Sequence, residues 1–112
     1  MKIAFTTKGK TMDSEIDPRF GRTQYILVYD TEQESTDVID NTDTASEGHG
    51  AGPKTAQRLM ETDAEVLITG NGPGGNAASV LNRKGIKILV GAAGISAAQA
   101  LEKFNNNELT HF

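Results

Sequence analysis

The sequence predicts an α/β domain built on a mixed five-stranded sheet with about three helices. Two observations lead to this prediction. Three strand-like segments come first with no helical pattern between them, which is typical of an antiparallel meander. The second half then alternates helical and strand-like patterns, which is typical of parallel strands joined by right-handed crossovers. The predicted element order is βββαβαβα, and the predicted strand order across the sheet is 3-2-1-4-5.

The first three strands are short apolar segments. Lys2–Thr6 predicts the first strand, because it is apolar and is followed by a polar loop. Gln24–Asp30 is rich in β-branched and aromatic residues and predicts the second. Thr36–Asp40 alternates more weakly and predicts a third strand near an edge of the sheet. The long loop over residues 7–23 is of a length that is often functional in compact domains.

Helical periodicity begins after residue 52. Pro53 suits a first helical position, and a capping box of Ser96 and Gln99 begins the last helix. The predicted elements are a helix over Pro53–Thr62, a strand over Glu65–Thr69, a helix over Asn76–Lys84, a strand over Ile86–Val90, a helix from Ser96 to about Phe104, and a frayed tail over about 105–112. This arrangement is ribonuclease-H-like and forms one domain over residues 1–112.

Composition excludes several classes of function. The net charge is -4, with eleven Lys and Arg against fifteen Asp and Glu, whereas binders of nucleic acid or anionic membrane carry a basic excess. Cysteine is absent, so disulfides and thiolate metal sites are excluded. The opening residues contain no secretory signal, and no apolar run is long enough to span a membrane. We therefore expect a cytoplasmic protein with neither nucleic acid nor membrane as a partner.

The predicted topology brings four irregular segments to one edge of the sheet, where the parallel strands end. They are residues 7–23, 41–52, 70–75 and 91–94, and they hold eleven of the twelve glycines. Ligands of open α/β sheets bind at this edge. Three predicted helix N-termini also point there, and each favours negative charge. Six basic residues lie on or beside these loops, so the expected ligand is an anion: Lys8, Lys10, Arg19, Arg22, His49 and Lys54.

The segment GHGAGPKT over residues 48–55 is similar to a nucleotide phosphate loop, but the mechanism fails. Pro53 stands where that loop needs a backbone N–H for phosphate, and a proline has none. A phosphate loop also follows directly on a buried strand, whereas a dozen polar residues intervene here. The predicted strands lack the carboxylates that a magnesium-dependent nuclease needs, and no Ser/His/Asp set can be assembled. We therefore predict no catalytic residues and no enzyme.

Individual residues of this edge keep two interpretations. His49 is either a solvated loop histidine or a metal ligand. Asn71 either caps a helix or donates to a ligand. Asp17 and Phe20 are expected to be structural, whereas at least one of the neighbouring arginines is expected to face the ligand. His111 is assigned to the frayed tail.

Three segments in order carry a resemblance to a known family: IDPRFGR, GHGAGPKTAQRL and AEVLITGNGPGGNAASVLNRKGIKILVG. Together they resemble the dinitrogenase iron–molybdenum cofactor biosynthesis family, collinearly from Lys2 to about Phe104. The resemblance implies a ribonuclease-H-like domain that binds or carries metal–sulfur clusters as a nitrogenase accessory protein. One similar branch, the orange proteins, is associated with a molybdenum–copper sulfide cluster held without covalent protein ligands.

For this chain the resemblance implies a non-enzymatic carrier of a molybdenum-containing metal–sulfur cluster, of Fe–Mo–S or Mo–Cu–S type. His49 would contact the metal, Lys8, Arg19 and Arg22 would balance charge, and four glycines would allow close backbone approach: Gly50, Gly52, Gly72 and Gly74. The segment GNGPGG departs from the family by its extra glycine. A protein that donates or accepts the cluster is the implied partner. A protein–protein interaction module without a cluster and a binder of a small anion remain alternatives, and the oligomeric state is not predicted.

Overall fold

The computed structural model describes residues 1–46 and 48–112. Its strands are β1 (Lys2–Thr7), β2 (Tyr25–Asp30), β3 (Ser35–Asp40), β4 (Val66–Ile68), β5 (Lys87–Val90) and β6 (Thr110–His111). Its helices are α1 (Ala51–Met60), α2 (Gly75–Arg83) and α3 (Ala97–Asn105), with a 3-10 turn over Thr42–Ser46. The protein is an α/β fold with three helices and a mixed sheet, as the sequence predicted.

The sheet has six strands rather than the predicted five, in the order β3-β2-β1-β4-β5-β6. The first five follow the predicted order, with β1, β4 and β5 parallel and β2 and β3 antiparallel. The sixth strand pairs antiparallel with β5, in the segment that was expected to fray. That expectation is wrong because Phe104 and Leu109 pack against the buried residues beside β5 and anchor the chain that leads into β6.

The inner strands bury both of their faces by alternation, whereas β3 and β6 are largely exposed. In β1, Ala4 packs with residues of α1 and α2, whereas Ile3 and Phe5 pack on the opposite face with residues of α3. In β4, Leu67 points to the face covered by α1 and α2, whereas its neighbours Val66 and Ile68 point to the face covered by α3. The sheet therefore has α1 and α2 on one face and α3 on the other. No helix among the described residues is long and apolar enough to cross a membrane.

Helix α1 begins at Ala51, two residues before the predicted start at Pro53. Pro53 therefore occupies the third position of the helix. The N–H groups of the N-cap and of the first three helical positions have no partner within the helix, so a proline is tolerated there. The earlier start places Gly52 inside the first turn of α1 and leaves Gly50 as its N-cap.

Candidate functional site

Loops from different parts of the chain meet where β1, β4 and β5 end. Gly70 lies so close to the 17–22 segment that an added Cβ would be 2.5 Å from Pro18 Cα. The backbone N–H of Asn71 donates to the Pro18 carbonyl at 3.0 Å. Gly21 approaches the start of α1 in the same way, since its Cβ would lie 3.0 Å from the Gly52 nitrogen. Glycine at positions 21 and 70 therefore permits the direct backbone contacts that bring these loops together.

Helices α1 and α2 begin side by side at this edge. A Cβ on Gly52 in the first turn of α1 would lie 3.9 Å from the Ala77 Cβ in the first turn of α2. Both N-caps are glycines, Gly50 at φ 85° and Gly74 in an extended conformation, and no side chain of residues 1–46 and 48–112 makes a cap hydrogen bond to either helix. Gly50, Gly74 and Gly75 are exposed. The edge therefore presents two adjacent, uncapped helix N-termini, each with a partial positive charge.

The N-terminus of α3 differs from the other two. The Ser96 hydroxyl accepts from the Gln99 N–H, and the Gln99 side chain accepts from the Ser96 N–H, which completes the predicted capping box. The next two amides donate to loop carbonyls, Ala97 to Ser14 at 2.9 Å and Ala98 to Met12 at 2.8 Å. The expectation that three helix N-termini face a ligand is therefore wrong for α3, because its first amides are already bonded.

The two arginines of the 7–23 loop are bonded within the protein. Arg19 donates from Nε to Asp17 Oδ1 at 3.2 Å and from Nη2 to Oδ2 at 3.3 Å. These bonds raise the pKa of the Arg19 guanidinium, whose side chain is 54% exposed, while Asp17 is fully buried. Arg22 donates from Nη1 to the Thr44 carbonyl at 2.9 Å and so ties the loop to the 3-10 turn. Arg19 keeps an exposed surface, whereas Arg22 mainly joins two loops.

The lysines of the edge are also engaged. Lys8 Nζ lies 2.8 Å from a Glu15 carboxylate oxygen, and this hydrogen bond raises the pKa of Lys8. Lys54 Nζ lies 2.8 Å from an Asp43 oxygen, and the Lys10 ammonium lies 5.6 Å from the centre of the Tyr25 ring. The basic residues that the sequence concentrates here thus have acidic or aromatic neighbours. The charges of these lysines are therefore partly balanced within the protein, and the helix N-termini add a partial positive charge of their own.

His49 is exposed between two exposed glycines, directly before the N-cap of α1. Its imidazole is therefore accessible to solvent close to the first turn of the helix. The described residues hold no group of three or more His, Cys, Asp or Glu side chains that could bind a metal ion. Among the residues that the structure describes, His49 therefore belongs to no such group.

The C-terminal residues reach the same edge, which sequence reasoning missed. Gly72 has φ 88°, and an added Cβ there would collide with the Phe112 ring. The Phe112 N–H donates to the Ile88 carbonyl at 3.0 Å, which extends the pairing of β6 with β5. Asn71, next to Gly72, is exposed. A tail expected to be disordered therefore packs against one of the candidate glycines.

A buried polar cluster around Asn41 holds α1 in place, and it too was missed. Asn41 Nδ2 donates to the Thr23 carbonyl at 3.0 Å and to Thr55 Oγ1 at 2.9 Å, and Arg58 Nη1 donates to Asn41 Oδ1 at 2.6 Å. Thr55 Oγ1 donates to the Gly21 carbonyl at 2.7 Å. Asn41 follows β3 in a polar stretch where the sequence gives no signal that it is fully buried. The cluster fixes the start of α1 against the loop that carries Arg19 and Arg22.

Comparison with known proteins identifies the family. The profile described as dinitrogenase iron–molybdenum cofactor matches residues 1–107. The apo form of the orange protein from Desulfovibrio gigas superposes with a TM-score of 0.92 at 33% identity, covering 99% of this chain and 92% of that chain. The NMR structure of a Thermotoga protein described as belonging to the DUF35 family superposes with a TM-score of 0.83 at 32% identity, covering 98% of this chain and 91% of that chain. No curated protein matches the chain. The chain therefore belongs to the dinitrogenase iron–molybdenum cofactor family.

Proposed function

We propose that the protein binds and carries a molybdenum-containing metal–sulfur cluster, without catalysing a reaction, at the edge where α1 and α2 begin. The family match and the likeness to the orange protein support a role connected with molybdenum clusters. We propose a cluster of Fe–Mo–S or Mo–Cu–S type as the cargo. Its partner would be a protein that donates or accepts the cluster, and its setting would be the cytoplasm. The strand order of the sheet supports a ribonuclease-H-like classification.

The pair of uncapped helix N-termini carries this proposal. A polynuclear metal sulfide is a bulky anion that brings its own sulfide ligands, so it needs hydrogen-bond donors more than thiolates. The first-turn amides of α1 and α2 supply such donors, and a partial positive charge accompanies them. Gly50, Gly52 and Gly74 carry no side chain that would keep a cluster away from the backbone.

Side chains complete the proposed site. His49 would bind a metal of the cluster through its imidazole, because it precedes the N-cap of α1 and is exposed. The exposed part of Arg19 would face the charge of the cluster, while Asn71 and Gly72 would border it on the side of α2. Lys8 and Arg22 would contribute long-range charge, since each is bonded to a neighbouring loop or side chain.

Titration with tetrathiomolybdate, with and without Cu(I), tests the proposal. After unbound anion is removed by gel filtration, we expect visible absorption that stays with the protein, together with shifts of the amide signals of residues 48–52 and 70–77. His49→Ala should weaken uptake, whereas His111→Ala, the matched change of the other histidine, should leave uptake as in the parent protein. A protein that remains colourless and unshifted would contradict the carrier function. If His49→Ala binds the anion as well as the parent protein does, His49 is not part of the site, and the backbone amides alone would account for binding.

The two alternatives give different results in the same experiment. A small-anion binder would shift the same amides with molybdate or phosphate as strongly as with thiomolybdate. A protein–protein module would respond to none of these anions. The helix N-termini alone would bind either class of anion, so preference for the sulfide-bearing ligand is the result that favours a cluster carrier.

A further inference from the structure

The free edge of β3 offers a surface that the proposed cluster site does not use. β3 is the outermost strand of the sheet, and five of its six residues are exposed. Val38 is 43% exposed on the face opposite α1 and α2. An edge strand presents unpaired N–H and C=O groups to which another strand can be added. β3 therefore has both the backbone groups and the exposure that strand addition requires.

A groove of about 280 Å³ runs beside this edge, on the α1 face of the sheet. Val28 and the partly buried Ile39 contribute apolar surface to it. Three carboxylates lie around them, from Asp37 on β3 and from Glu61 and Asp63 just after α1. Lys2 also lines the groove, and its Nζ is 3.8 Å from Asp63, so the groove keeps a negative balance. The apolar surface can pack against the methylene groups of an arginine or lysine side chain, and the nearby carboxylates can bind its charged end.

We propose that β3 binds an extended basic segment of a partner protein, added to the sheet as a further strand. Successive side chains of an added strand point to opposite faces. Those on the α1 face would be Arg or Lys entering the groove, and those on the other face would be apolar and pack beside Val38. The recognised pattern is therefore basic and apolar residues in alternation.

The charges of the edge argue for such a partner and against a second copy of this chain. Asp37 and Asp40 both lie on β3, and like charges on facing strands are destabilising. A basic side chain on the α1 face of an added strand would instead meet the opposite charge of Asp37. The same charges steer a cationic partner toward the edge and make its binding sensitive to salt.

The position of the groove leaves the proposed cluster site open. Glu61 and Asp63 follow the C-terminus of α1, whereas the candidate cluster site lies at its N-terminus. The ten residues of α1 separate the two by about 15 Å along the helix. A partner can therefore bind β3 while the site at the N-terminus of α1 holds a ligand. This inference does not depend on the identity of that ligand.

Binding of the peptide acetyl-Arg-Val-Arg-Val-Arg-amide, followed by amide chemical shifts, tests the proposal. We expect shifts confined to residues 35–40 and 61–63. Asp37→Lys should weaken binding about tenfold, and Glu102→Lys, an equal charge change on the exposed face of α3, less than about twofold. A peptide with N-methylated valines keeps the charge but loses backbone donors, so it should bind at least about tenfold more weakly.

Three results would overturn the inference. Shifts spread over acidic residues of the whole surface, with equal losses for both variants, would mean general charge attraction. Equal binding of the N-methylated peptide would exclude strand addition through the valine amides. Self-association of the free protein through β3, seen as concentration-dependent shifts of residues 35–40, would identify a second copy as the occupant.

Discussion

Replacing Asn41 by alanine tests whether the buried polar cluster holds α1 in place. The Asn41 side chain is fully buried and joins the Thr23 carbonyl, the Thr55 hydroxyl and the Arg58 guanidinium. Leaving the Thr23 carbonyl without a donor costs about 1–3 kcal/mol, and losing a hydrogen bond from a charged group costs about 1.5–3 kcal/mol. Thr55 still donates to Gly21, and Arg58 still pairs with Asp43, which limits the loss.

The expected decrease in the free energy of unfolding for Asn41→Ala is therefore about 3 kcal/mol, or a fall in Tm of about 10 °C. Urea unfolding followed by circular dichroism measures it. Asn82→Ala is the matched control, because Asn82 is an exposed residue of α2 and its replacement should change stability by less than about 0.5 kcal/mol. A loss below about 1 kcal/mol for Asn41→Ala would refute the reasoning, because it would mean that water or a rearranged loop replaces the amide.

The remaining predictions concern the loops around the same edge. Gly70→Ala should cost about 1–3 kcal/mol in urea unfolding, because its Cβ would meet Pro18, whereas Gly48→Ala, whose Cβ meets nothing within 4 Å, should cost less than about 0.5 kcal/mol; equal costs would contradict the close approach. Gly72→Ala should lower the free energy of unfolding by about 1–2 kcal/mol because of the positive φ, and by more because the new Cβ displaces Phe112. In the Gly72→Ala/Phe112→Ala double variant, part of this loss should be recovered. Fully additive effects of the two substitutions would exclude the contact. Hydrogen bonds from Arg58 and Lys54 lower the pKa of Asp43 below the ordinary 3.8, so its stabilising contribution is present above about pH 4 and is lost as the pH falls further. Asp43→Asn should therefore destabilise the protein at pH 7 and progressively less between pH 4 and pH 2, and a deficit independent of pH in urea titrations would refute this assignment.

The sequence predicted the strands well because their apolar patterns are local. Each of the first five strands was located to within two residues, and their order followed from connection rules alone. The sixth strand could not be predicted, because two exposed residues, Thr110 and His111, carry no periodic signal. Only the packing of Leu109 and Phe104, which is a tertiary contact, holds that segment to the sheet.

The convergence of the loops was predictable from topology, but the bonding of their side chains was not. The sequence placed Arg19 and Arg22 at the edge, and both lie there, but it could not indicate that Thr44 and Asp17 would bind them. The sequence also predicted that three helix N-termini face the ligand. The first amides of α3 are instead bonded to the carbonyls of Ser14 and Met12, which lie more than eighty residues earlier in the chain. Such long-range pairings depend on the packed structure, whereas glycine-rich loops are visible in the sequence itself.

The most direct test of the proposed site is the amide response to a sulfide-bearing anion. When tetrathiomolybdate is added to the 15N-labelled protein, we predict that residues 50–52 at the start of α1 and 74–77 at the start of α2 shift together, with one apparent affinity. Residues 96–99 of α3, whose amides are already bonded, should not shift. Shifts at α3 instead, or at only one of the first two helices, would contradict a site shared by α1 and α2.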